Sequence, residues 1–175
     1  MALPPLDIPV YGVVSLGGVT TGLSLFAWDF TRWFASHKRR LALKSLAALA
    51  PQILCMAYGA LLILSAGGVI GALADWSLWG TNQIGDVVLV YGFGGSTPTV
   101  TRASQLALTP GGHAAVIVIT VVVIAIASRR GFRWDYVRHI LSGISLGLAS
   151  SIAGAVGVAV APTVSWAGDA VVGLL

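Results

Sequence analysis

The sequence predicts an all-α fold: a polytopic transmembrane helical bundle with a small outer loop region. It has four spans, or three if the first apolar run lies in the interface. Three observations predict this. Of 175 residues, 57% are hydrophobic and only 9% charged, whereas a soluble domain carries roughly 25% charged residues. Mean hydropathy is +0.90. The apolar residues also gather into long runs, with the basic residues clustered between them. So few charges do not cover the surface of a globule, which excludes an ordinary cytosolic enzyme, a disordered chain and a soluble nucleic-acid binder.

A bilayer core about 30 Å thick takes around 20 helical residues. Residues 45–74 carry no charge and form one run, long enough to tilt or to begin with an interfacial turn before Pro51. Residues 137–166 contain Arg138 and His139 as their only ionisable groups, both at the start. Residues 112–128 are shorter and are followed by Arg129 and Arg130, whose long side chains snorkel. The stretch Val116 to Ile124 is β-branched throughout. In water it would read as a buried strand, but in lipid only a helix satisfies the backbone of a lone segment. Residues 8–30 are the weakest run, rich in glycine and Ser/Thr, with Asp29 near the end.

Charge placement orients these runs. If residues 8–30 span, loops 31–44 and 129–136 face the same side. Arg32, Lys38, Arg39, Arg40 and Lys44 belong to the first cluster, and Arg129, Arg130, Arg133 and Arg138 to the second. Only Arg102 falls on the other side, so the positive-inside rule puts both loops in the cytoplasm and both termini outside. The tryptophans agree. Trp28, Trp33 and Trp134 fall at cytoplasmic ends, and Trp76, Trp79 and Trp166 at outer ends, as interfacial anchors. Met1 to Asp7 has no basic n-region, so a cleaved signal is not expected.

The outer loop, residues 75–111, includes Asp86 to Gly95, which reads as a short strand ending in a glycine turn. In the last run Gly143, Gly147, Ser151, Ala155 and Ala159 form a small-residue row at four-residue spacing. A second row starts at Ser145, and a bulky row starting at Ile144 separates the two. Gly67 and Gly71 make a shorter example. Small ridges let neighbouring backbones approach closely, within the chain or between chains. No repeat of solenoid-like period is visible.

Chemical motifs are sparse. The apolar cores hold no ionisable residue, and Gln52, Tyr58, Ser65 and Thr120 form no charge relay, which disfavours proton-coupled transport. Asp29 and Arg32 read as an interfacial i,i+3 pair. His37, His113 and His139 are scattered without Cys or carboxylate companions at ligand spacing, so no metal is expected. Gly92 to Thr97 lacks the lysine of a phosphate loop. No cofactor and no enzymatic activity are expected.

The expected role is that of a non-enzymatic subunit or accessory of a membrane assembly, acting through helix packing and loop contacts. The expected partners are the lipid bilayer and either further copies of the chain or other membrane proteins. The alternatives are a homo-oligomeric pore, holin-like or a small channel, and a membrane-anchored factor assisting DNA handling. Positive-inside orientation already accounts for the basic clusters, which disfavours nucleic acid as a partner.

Overall fold

A computed structural model describes residues 14–36, 49–65, 68–95, 108–130, 133–148 and 155–174. The described residues are all-α. The helices are α1 (Leu16–Ser36), α2 (Ala50–Leu64), α3 (Gly68–Val87), α4 (Pro110–Arg130), α5 (Trp134–Gly147) and α6 (Ala155–Val172). Among the described residues one helix, over Pro110–Arg129, is long and apolar enough to cross a membrane by itself. Helices α2 and α3 pass the same test together, as a pair bent by 108°.

Four expectations are corrected by this architecture. The run 45–74 is not one helix: α2 stops at Leu64, and Gly68 starts α3 with φ +69°, a left-handed conformation that glycine adopts without a Cβ clash. Much of the expected outer loop, from Asp75 to Val87, is helical, and the expected strand is the end of α3 followed by a π-helical turn, Val88–Gly92. A lone strand has no ladder partner, whereas a helix satisfies its own backbone. The expected glycine turn is present, because Gly94 has φ +68° and its N–H donates to the Val90 carbonyl at 3.2 Å. The run 137–166 divides into α5, ending at Gly147, and α6, so its small-residue rows do not share one helix. Finally, the first run is helical from Leu16 and continues past Phe30 to Ser36, while residues 8–13 lie outside the described residues.

The two halves, α1–α3 and α4–α6, repeat one arrangement. Helices α1 and α4 have 21 residues each and begin alike, in Ser15-x-Gly17-Gly18 and Thr109-x-Gly111-Gly112. Gly18 N–H donates to Ser15 Oγ at 3.0 Å, and Gly112 N–H to Thr109 Oγ1 at 3.1 Å, so both helices carry a hydroxyl N-cap. A carboxylate from the third helix of each half completes the cap. Gly17 N–H donates to Asp86 Oδ1, and Gly111 N–H to Asp169 Oδ1, each at 3.2 Å, where the helix dipole favours negative charge. The glycines are needed for closeness: a Cβ on Gly17 would strike the backbone at Gly85 and Asp86, and one on Gly111 the backbone at Gly168 and Asp169.

Helices α2 and α5 cross at the centre and hold the halves together, with the most extensive contact in the fold. The crossing is reciprocal: a Cβ on Gly59 would strike the Ile140 carbonyl oxygen, and one on Gly143 the Met56 carbonyl oxygen. Buried Met56, Leu61, Ile63, Leu64, Ile144 and Leu146 belong to the core that surrounds it. Helix α1 packs on α3 and α5, and α4 packs on α6.

Candidate functional site

Helix phase decides which polar groups of α1 are buried. Gly18, Gly22, Asp29 and Trp33 share one face, and all are buried. Asp29, 8% exposed, is therefore carried inward in the C-terminal half of α1. Its partners are on α5: Asp29 Oδ1 accepts from Arg138 Nη2 at 3.1 Å, and Oδ2 lies 3.0 Å from His139 Nδ1. Arg138 Nη2 also meets Asp135 Oδ1 at 2.6 Å, in the first turn of α5. Asp135 in turn faces Arg133 at 3.5 Å, and the Arg133 guanidinium stands 5.6 Å from the centre of the Tyr136 ring. The expected Asp29–Arg32 pair is thus replaced by a tertiary cluster, because Asp29 points into the α1–α5 seam.

The cluster belongs to one half only. By the register of the capped glycines Asp29 corresponds to Val123 of α4, and by the register of the crossing glycines Arg138 and His139 correspond to Leu54 and Cys55 of α2. The α1–α5 seam is further tied by Ser142 Oγ, which donates to the Gly22 carbonyl at 2.9 Å, while Ser145 Oγ donates to Thr81 Oγ1 of α3 at 3.1 Å. Ser142 and Ser145 are both essentially inaccessible. In the α2–α4 seam the counterpart of Ser142 is Tyr58, whose hydroxyl donates to Thr120 Oγ1 at 3.0 Å. Chemically, the cluster is an ion-pair and hydrogen-bond clamp between helices distant in sequence. Among the described residues no group of three or more His, Cys, Asp or Glu stands close enough to hold a metal ion.

The residues singled out in the sequence are placed as follows. Gly143 and Gly147 face α2, Gly143 against Met56 and Gly147 against Ala60 and Ile63. Gly71 is buried in α3, and Ala159 is exposed on α6. Gly67 and Ser151, Lys38, Arg39, Arg40 and Lys44, and the side chains of Ala155 and Arg130, lie outside the described residues. Arg129 and Arg133 are exposed. Trp28, Trp76, Trp134 and Trp166 are exposed. Trp33 is buried and meets the Phe30 ring at a tilt of 39°, 5.6 Å between ring centres. Trp79 is half-buried and meets Trp76 edge-on at 5.8 Å.

Sequence reasoning missed the Asp29 cluster and the paired caps. A signal existed for each: Asp29 recurs on the helical phase of Gly22 and Trp33, and both halves contain a hydroxyl-x-Gly-Gly start and a later Gly-Asp pair, Gly85-Asp86 and Gly168-Asp169. Comparison of the chain with protein-family models, with curated proteins and with solved structures finds no match.

Proposed function

We propose that the protein is a four-span membrane protein that serves as a non-enzymatic subunit of a larger membrane assembly. In this reading α1, α2, α4 and α5 cross the bilayer, and α3 and α6 lie along its outer interface. The 108° bend between α2 and α3 supports the lateral placement of α3. So does the meeting of its far end, at Asp86, with the start of α1. Helices α2 and α5, with 15 and 14 residues, are about 22 Å long at 1.5 Å per residue, a mismatch that local bilayer thinning accommodates. Two crossings per half leave both basic loops on one side, as the positive-inside rule requires.

The observation that carries the subunit reading is α4. From Val121 to Ser128 every side chain except Val123 is exposed, and nearly all are apolar. Tyr58, Ser142 and Ser145 instead tie helices of the same chain together. Helix α4 thus turns a continuous apolar surface toward other molecules.

Native mass spectrometry of the protein, extracted with its lipids from its own membranes, tests this. Additional protein masses that disappear when Val121 and Ile124 are both replaced by Trp support the subunit reading. A ladder at whole multiples of about 18.0 kDa indicates self-assembly and favours a pore between copies. A lone monomer contradicts both.

A further inference from the structure

The pseudo-symmetric seams differ in more than charge. In the α1–α5 seam the Ser142 hydroxyl lies directly on the Gly22 carbonyl, and a Cβ on Gly22 would meet Ser145 and Leu146, so that seam is closed. In the α2–α4 seam Val116 occupies the position of Gly22, and the long Tyr58 side chain is needed to reach Thr120. Beside this wider seam lies a cavity of about 240 Å³ among α2, α3, α4 and α5. One stripe of α3 lines it, Ile70, Leu73, Ala74 and Ser77, facing Ile140 and Leu141 of α5.

The wall chemistry specifies the occupant. Its hydroxyls are already engaged: Tyr58 donates to Thr120, Thr120 to the Val116 carbonyl at 2.7 Å, and Ser77 to the Leu73 carbonyl at 2.8 Å. Nothing in the wall asks for a polar ligand, and an apolar cavity does not hold water. The size excludes a partner helix, which is about 10 Å across and would use up the volume within roughly two residues of rise. It exceeds the roughly 150 Å³ that accepts a benzene molecule. Thr120 lies midway along α4, the helix able to cross a bilayer, so in the membrane reading the cavity reaches from α3 down to hydrocarbon depth.

We propose that this cavity is a slot for a single hydrocarbon chain of a membrane lipid. The proposal rests on the membrane reading given above. In the full-length protein reconstituted in phosphatidylcholine carrying a mid-chain diazirine, illumination is expected to label Leu62 and Leu141 in the cavity, as well as Ile117, Val118 and Val121 on the exposed side of α4. Ser77→Phe, or Leu73→Trp as a second way of filling the space, is expected to reduce cavity labelling several-fold and leave α4 labelling unchanged. Labelling of α4 without labelling of the cavity overturns the slot and leaves the membrane reading standing. Cavity labelling that persists in both folded variants also overturns the slot. Absence of labelling at every one of these positions overturns the membrane reading itself.

Discussion

At the scale of single residues, Asp29 carries the largest local stake. Its carboxylate is buried and both oxygens are committed to α5. Removing one partner of a buried pair leaves the other charge uncompensated, at a cost of about 3–5 kcal/mol. Arg138 is one-third exposed and retains Asp135, so the lower end applies. Asp29→Ala is expected to destabilise the protein by about 3 kcal/mol, read from thermal or SDS unfolding of the purified protein. Arg32→Ala, which removes a neighbour in sequence but no partner, should stay within roughly 0.5 kcal/mol. Equal losses in the two variants would show that the clamp is not the interaction that matters. The cluster was half legible. Helical phase puts Asp29 on the face of Gly22 and Trp33, but the choice between Arg32 and Arg138 is a tertiary fact, joining residues 109 positions apart.

At the scale of elements, glycine marks close approach at the central crossing and at the capped helix starts, but not at every position. Gly143 touches the Met56 backbone, and Gly80 has open space around its missing Cβ. Gly143→Ala should therefore cost about 1–3 kcal/mol through overpacking. Gly80→Ala should be neutral or stabilise by up to about 1 kcal/mol, because alanine is the better helix former. The reverse order would contradict the α2–α5 crossing. The paired caps make a second comparison: Thr109→Ala and Ser15→Ala should each lower stability by about 1 kcal/mol, and a cap whose loss has no effect would remove its half from the repeat.

The sequence reading of elements succeeded and failed for identifiable reasons. Small residues four apart at Gly143 and Gly147 do face a neighbour closely, and α4 is a continuous helix despite its β-branched core. Breaks were harder to see, because an uncharged run does not announce where a chain bends. Leu64 to Gly68 is uncharged and made mostly of small residues, and only the positive φ of Gly68 reveals the turn. The Asp86–Gly95 stretch has strand-like side chains, yet strand propensity expresses itself only beside a pairing strand. None is present among the described residues.

At the scale of the whole molecule, two three-helix halves share their caps, their order and a reciprocal central crossing, while their chemistry diverges at one seam each. One seam holds the Asp29 clamp, the other an apolar cavity. Parallel repeats related by an axis along the membrane normal are a known plan for membrane proteins, and they require an even number of crossings per half. Composition predicts a membrane protein, and among the described residues one helix, over Pro110–Arg129, is long and apolar enough to cross a bilayer. The proposed two crossings per half rest on the bend between α2 and α3, which no feature of the sequence announces. The repeat escaped notice because it lies in two short capping patterns and a glycine pair, spread over spacings that differ between the halves.

Single-cysteine labelling tests this topology most directly. In a Cys55→Ala background, cysteines are placed singly at Ser36 and Ser128, at the ends of α1 and α4, and at Gly95 and Gly173, beyond α3 and α6. An impermeant maleimide applied to intact cells should label Gly95→Cys and Gly173→Cys, and reach Ser36→Cys and Ser128→Cys only after lysis. Labelling that puts Gly95→Cys and Gly173→Cys on opposite sides would contradict two parallel halves with two crossings each.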